Sequence, residues 1–215
     1  MQAISFDNFF EGEFTPDEVR DRGLSLFKDS NLITDRSPGY PGTRRKVPFD
    51  IRKYIIEKIS EPVSILLEYE KIEIEPNAHV NIAYHLTTSI HEHGLVHTDD
   101  PRQIAGVIYL NPVSPKNSGT KFLKLKKEYQ DIKPGIPNFR QVNVTDDEKL
   151  IKLFGTQKEY YNKRYYQEEK YIENVYNSAI LYPGKYHHGP GKYFGETLED
   201  SRFVIVIFAN HSGKS

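Results

Sequence analysis

HTDDPRQIAGVIYLNP, running from His97 to Pro112, joins a pair of metal-ligand side chains to a buried strand. His97 and Asp99 are two residues apart, so in an extended chain both side chains leave the same face, close enough to grip one ion. From Ile104 onward the run is nearly continuous apolar sequence closed by Pro112, the pattern of a strand covered on both sides. A third ligand must come from elsewhere. The tail YHHGPGKYFGETLEDSRFVIVIF, from Tyr186 to Phe208, offers His187 and His188 ahead of Arg202, which opens a second strongly apolar strand.

The composition narrows the classes of function. The chain has 215 residues, with 29 Lys and Arg against 30 Asp and Glu, and a formal charge of −1. That length fits one domain with a real core. The balanced charge supplies no field that would recruit nucleic acid or an anionic membrane, so neither is expected as a partner. With no cysteine in the sequence, disulfides, thiolate metal sites and cysteine nucleophiles are excluded together, and any metal must be held by nitrogen and oxygen. Asp7, Glu11, Glu13, Asp17 and Glu18 occupy the start where a secretory signal would be basic and then apolar. No window is apolar enough to cross a bilayer, and a cytoplasmic location is expected.

Outward from the central stretch, the elements read as follows. Thr15, Pro16 and Glu18 make a capping box with proline at the first helical position, and Val19, Leu24 and Phe27 continue one helical face between Phe14 and Phe27. Asn31 to Pro48 is rich in Gly, Pro, Asp and Arg and reads as a long loop; Arg44 and Arg45 on it are expected at a solvated surface rather than on an anionic substrate group. Ile51, Ile55 and Ile59 predict a second helix. SILLEY (64–69), KIEIE (71–75) and HVNIAYHLTT (79–88) read as strands punctuated by Pro62, Pro76 and Asn77. After the central strand, SPKNSG turns into the strand GTKFLKL from Gly119.

Residues 130–143 read as loop, Thr145 with Glu148 as a capping box, and Leu150 to Phe154 as a short helix. QKEYYNKRYYQEEKYIENVYN, 157–177, predicts a surface helix; without net positive charge its rings do not read as a base-stacking platform. SAILYPG and SRFVIVIFAN supply the last strands. There is no internal repeat and no low-complexity segment. Antiparallel strands on short turns predict a barrel or sandwich, mainly β with flanking helices.

A histidine followed two residues later by an acid is expected by accident about once at this composition. Its context gives the pair its weight. Arg202 enters a buried strand, a costly position unless an anion meets it, whether a substrate carboxylate or a structural partner. Two histidines, one carboxylate and open coordination positions are a ligand set of non-haem Fe(II) oxygenases.

At these residues the chain resembles the iron(II)- and 2-oxoglutarate-dependent oxygenases, in particular the prolyl-4-hydroxylase-like branch and its compact bacterial and phage-type relatives. His97, Thr98 and Asp99 match the first part of the family pattern, IYLN at 108–111 the strand after it, and SGT at 118–120 its glycine turn. FDNFF at 6–10 and YPGTR at 40–44 extend the likeness, so that it covers most of the chain. The resemblance implies a double-stranded β-helix core, of the jelly-roll or cupin-like kind, in a single domain. Residues 1–60 would be mostly helical support, 63–125 and 175–210 jelly-roll strands, and 126–174 a loop and helical insertion.

The same resemblance implies a triad of His97, Asp99 and His188 holding Fe(II). His188 lies fourteen residues before Arg202, as the distal histidine does in the compact relatives, and His187 remains the alternative. Arg202 would pair with the distal carboxylate of 2-oxoglutarate, Tyr109 would reach the same group or serve as a core tyrosine, and Thr87 and Tyr84 would line the pocket. The implied reaction is hydroxylation of an unactivated C–H bond, with release of succinate and carbon dioxide and with ascorbate as a reductant. The carboxylate at Asp99 disfavours halogenation. The implied substrate is a prolyl or other amino-acid or peptide group. A non-catalytic jelly-roll binding protein and a zinc hydrolase stay open as alternatives, and the oligomeric state is not legible.

Overall fold

The computed structural model describes residues 2–30, 41–74, 77–91, 96–127 and 163–211. Among the described residues there are two α-helices, a 3-10 turn and nine strands, the strands forming two sheets. The helices are α1 (Pro16–Ser25) and α2 (Phe49–Glu70). The larger sheet has the order β1-β7-β4-β9-β3-β2, with β1 Ile4–Phe6, β2 Thr43–Lys46, β3 His79–Thr87, β4 Ile104–Tyr109, β7 Ala179–Pro183 and β9 Arg202–His211. The smaller sheet is β6 (Tyr166–Ile172), β5 (Thr120–Leu125) and β8 (His188–Pro190). Every strand pairing is antiparallel. The architecture is mainly β, a jelly roll with helices laid on the outside.

The strand β9 shows how the sequence sorts itself between two cores. Phe203, Ile205, Ile207 and Ala209 face the helices, together with Val19, Leu24, Ile51, Ile55, Ile59 and Leu66. Val204 and Val206 face the other way, where Val107, Tyr109, Ile180, Tyr182 and Phe122 complete a second cluster between the sheets. Period-two alternation with both faces buried is why this strand reads as an unbroken apolar run.

The first helix forms as the capping box predicts: Thr15 is extended and its hydroxyl accepts from the Glu18 amide at 3.2 Å, with Pro16 opening the helix. Gly23 is the one helical position on its inner face with no room for a side chain. A Cβ there would lie 2.6 Å from Tyr84 and 2.7 Å from Phe203, two rings stacked 5.3 Å apart, with the Tyr84 hydroxyl donating to Val19 O at 3.0 Å. Gly23→Ala would gain about 1 kcal/mol of helix propensity and lose about 1–3 kcal/mol to overpacking. The unfolding temperature in a thermal melt is therefore expected to fall.

Four expectations are corrected. SILLEY is the second half of α2, which runs through Pro62 to Glu70. A proline inside a helix removes one hydrogen bond, but Leu66 and Leu67 extend the buried stripe of Ile51, Ile55 and Ile59, and that burial outweighs the break. The described part of KIEIE is no strand: Lys71 caps α2 in the left-handed conformation and 72–74 are irregular. The expected loop before Pro48 contains β2. The described part of the expected tyrosine-rich helix has a helical turn at 163–165 and then strand β6, the outer strand of the small sheet, whose pattern is mostly exposed because only one neighbour covers it. The loop, capping box and helix expected at 130–154 lie outside the described residues. No described helix is long and apolar enough to cross a membrane.

Candidate metal centre

The sequence brings its distant metal-ligand candidates together through backbone pairing. The His97 amide donates to His188 O at 2.9 Å, and the His188 amide donates back to His97 O at 2.8 Å. Asp99 is held by its amide donating to Gly184 O at 2.9 Å. Position 184 must be glycine, since a Cβ would meet the Asp100 carbonyl oxygen at 2.5 Å. These bonds carry the three side chains to one point, with all ligand atoms within 4.8 Å of one another.

The electrostatics suit a cation rather than a set of ion pairs. His188 is buried, and burial together with the nearby His97 lowers its pKa to about 3. Its Nδ1 lies 2.9 Å from the Tyr186 carbonyl, which can only accept, so Nδ1 carries the proton and Nε2 presents a lone pair. That Nε2 is 3.4 Å from Asp99 Oδ2, and with a neutral ring the contact is not a salt bridge. His97 Nε2 lies 3.9 Å from the other carboxylate oxygen.

Burial raises the Asp99 pKa, while the charges of His97 and Arg44 pull it back. Asp99 Oδ2 is buried without a hydrogen-bond partner. A buried, unsatisfied carboxylate oxygen facing an imidazole lone pair is unfavourable unless a cation lies between them. With His188 Nε2 at 3.4 Å and His97 Nε2 at 3.9 Å from the Asp99 oxygens, all three side chains can reach one ion. The residues fit a divalent metal.

His187 points elsewhere. Its ring lies 5.1 Å from that of Tyr166, and it lines a cavity of about 320 Å³ with Leu123, Leu125, Lys185 and Tyr186.

Residues 16–192 match the model of a family described as "Family of unknown function (DUF6445)". The chain belongs to that family. No curated protein matches this DUF6445 chain. Among solved structures it is similar to a prolyl hydroxylase from Trichoplax adhaerens in complex with a hypoxia inducible factor oxygen degradation domain peptide fragment. The identity is 14%, covering 96% of this chain and 82% of the other, with a TM-score of 0.49. It is also similar to a Pseudomonas putida prolyl-4-hydroxylase (12% identity, 98% and 93% covered, TM-score 0.47). A third similar structure is HygX from Streptomyces hygroscopicus with nickel and 2-oxoglutarate bound (11% identity, 96% and 82% covered, TM-score 0.45).

Beyond the three ligand candidates, this family member carries further buried polar side chains on the face of the larger sheet that meets the smaller one. Arg202 is 4% exposed, its Nε lies 3.4 Å from Ser118 O, and among the described residues it forms no ion pair. Thr87 pairs with it across β3 and β9, and the buried Thr87 Oγ1 has no hydrogen-bond partner. Tyr109 is buried with its hydroxyl 2.7 Å from Thr120 Oγ1; burial pushes its pKa up to about 12 although Thr120 and Arg202 oppose the rise. Tyr84 is corrected: it stands on the opposite face of β3, against α1.

Sequence reading missed Tyr182, whose ring lies 4.8 Å from that of His188 and whose hydroxyl senses both Asp99 and Arg202. It is two residues past Ile180 on the same face of β7, the one signal that could have found it. The asparagine of IYLN also has a role that sequence alone did not reveal. Asn111 Nδ2 donates to Ser201 O and its Oδ1 accepts from the Phe203 amide, both at 2.8 Å, clamping the backbone on either side of Arg202. Asn111→Ala removes two buried hydrogen bonds, about 2 kcal/mol. A thermal melt is expected to show unfolding several degrees lower.

Proposed function

We propose that this chain is an Fe(II)- and 2-oxoglutarate-dependent dioxygenase that hydroxylates an unactivated C–H bond of a prolyl or other amino-acid or peptide substrate. The observation that carries the reading is a pair of incomplete sites linked through Tyr182, which touches His188 and feels both Asp99 and Arg202: a His-Asp-His cluster suited to a divalent ion, and a buried guanidinium with no acidic partner among the described residues. A buried arginine without an anion is costly. A ligand carrying both a chelating end and a distal carboxylate satisfies both sites at once.

His97, Asp99 and His188 would hold the metal. When bound, iron with 2-oxoglutarate and dioxygen would supply the oxidising power for hydroxylation, with succinate and carbon dioxide as co-products. Arg202 would bind the distal carboxylate through its planar fork. Tyr109 and Thr120, already hydrogen-bonded to each other, have a spare donor or acceptor to offer the same group. Thr87 Oγ1 would gain the partner it lacks. Val107, Val204, Val206 and Phe122 form a buried apolar cluster with Tyr109 that would keep water from the cosubstrate.

Purified protein with Fe(II), ascorbate and 2-oxoglutarate is expected to release succinate in air and none under nitrogen. No succinate in air would overturn the proposal and favour a binding protein; hydrolytic activity under nitrogen, indifferent to 2-oxoglutarate, would favour a zinc hydrolase.

A further inference from the structure

The helix α2 ends on Glu70, a place where a carboxylate is locally disfavoured: it stands at the negative end of the helix dipole, with Glu68 two residues away and no basic residue in the last turn. A partner outside the helix accounts for it. The Glu70 side chain is 8% exposed and forms an ion pair with Lys185, and its Oε1 accepts from the Tyr186 hydroxyl at 2.6 Å. Burial opposes the charge, yet Lys185 and Tyr186 outweigh it and hold the carboxyl below its ordinary value. Leu66 and Leu67 pack α2 into the core that Ala179 and Leu181 of β7 also enter, so the end of the helix reaches the turn that follows β7.

That turn, Gly184 to Tyr186, carries two of the metal-ligand candidates on its backbone. Gly184 O accepts from the Asp99 amide at 2.9 Å, and Tyr186 O lies 2.9 Å from His188 Nδ1, the contact that leaves the Nε2 lone pair for an ion. Tyr186 therefore has its hydroxyl on Glu70 and its carbonyl on His188, a direct path from helix to ligand. Lys185, Tyr186 and His187 also border the cavity of about 320 Å³. A turn beside open space is held by its polar contacts more than by packing.

We infer that Glu70 is a positioning residue for the metal centre: by gripping Lys185 and the Tyr186 hydroxyl it sets the turn whose carbonyls aim Asp99 and His188 at one ion. The role rests on the reading of His97, Asp99 and His188 as ligands of a divalent metal. Groups that orient ligands from outside the coordination shell change metal affinity by about 10–100-fold. A purely structural anchor would lower the unfolding temperature and leave the affinity of the folded protein unchanged.

The test measures Mn(II) affinity of the full chain from the EPR signal of free Mn(II), well below the unfolding temperature, and the tautomer of His188 in the metal-free protein from its imidazole nitrogen chemical shifts. Glu70→Ala is expected to weaken Mn(II) binding about tenfold or more and to turn the single Nδ1–H tautomer of His188 into a mixture. Glu70→Gln, which keeps an acceptor for the Tyr186 hydroxyl, is expected to recover most of both. Tyr186→Phe removes only the hydroxyl, is expected to weaken Mn(II) binding as well, and decides the matter where Glu70→Ala does not fold. Wild-type Mn(II) affinity in a folded Glu70→Ala, or in Tyr186→Phe where the alanine variant does not fold, overturns the assignment of Glu70 while leaving the metal centre in place. If wild type itself binds no Mn(II), the metal-centre reading falls and the role of Glu70 with it.

Discussion

Asp99→Ala is expected to abolish succinate release, and the isosteric Asp99→Asn to unfold at a higher temperature than wild type once metal is removed. Loss of activity follows from losing the single anionic ligand that the cluster offers. The gain in metal-free stability follows from burial. Asp99 titrates above its ordinary value because its charged form is desolvated, and Oδ2 has no hydrogen-bond partner. A carboxyl whose folded pKa is raised holds its proton more tightly in the folded state, so stability declines as pH rises from the unfolded value of about 3.9 through the folded one. The penalty is therefore larger at pH 7 than at pH 3, where the carboxyl is protonated in both states. Asparagine keeps the shape and removes the charge, an expected gain of about 1–3 kcal/mol, or several degrees, at neutral pH that vanishes in acid. Differential scanning calorimetry of both proteins in chelator at the two pH values measures it.

Arg202→Ala is expected to raise the KM for 2-oxoglutarate about 100-fold, because a buried fork-to-carboxylate contact is worth about 2–3 kcal/mol. Metal binding should survive, since Arg202 is not among the three clustered ligand residues. The substitution also removes a buried charge that has no ion-pair partner among the described residues, so the metal-free variant should not be markedly less stable. A structural arginine would behave in the opposite way, costing stability and leaving the KM untouched.

The central strands of the larger sheet were legible because burial on both faces leaves an unmistakable mark: β4 is buried at every position and β9 at nearly all. The first helix was legible from its cap. The second was half missed because Pro62 and the β-branched and aromatic content of 64–69 outweigh, in a local reading, the distant partners that bury Leu66 and Leu67. The strand β6 was read as a helix because an edge strand with one neighbour can be polar nearly throughout. At the candidate site, His97 and Asp99 were singled out by residue type and spacing and His188 and Arg202 by the family resemblance, and the structure brings 97, 99 and 188 together. Tyr182 was not, because its relevance arises only when cross-strand register puts it on the face that meets His188, and register is not written in the local segment.

The central claim, one ligand bridging a metal held at residues 97, 99 and 188 and the guanidinium of residue 202, is tested most directly by thermal unfolding of wild type and Arg202→Ala with Mn(II), with and without N-oxalylglycine. Wild type should be stabilised by Mn(II) and stabilised further by the analogue, whereas the variant should keep the first increment and lose the second. Equal stabilisation of both proteins by the analogue, or none of wild type, would contradict the account.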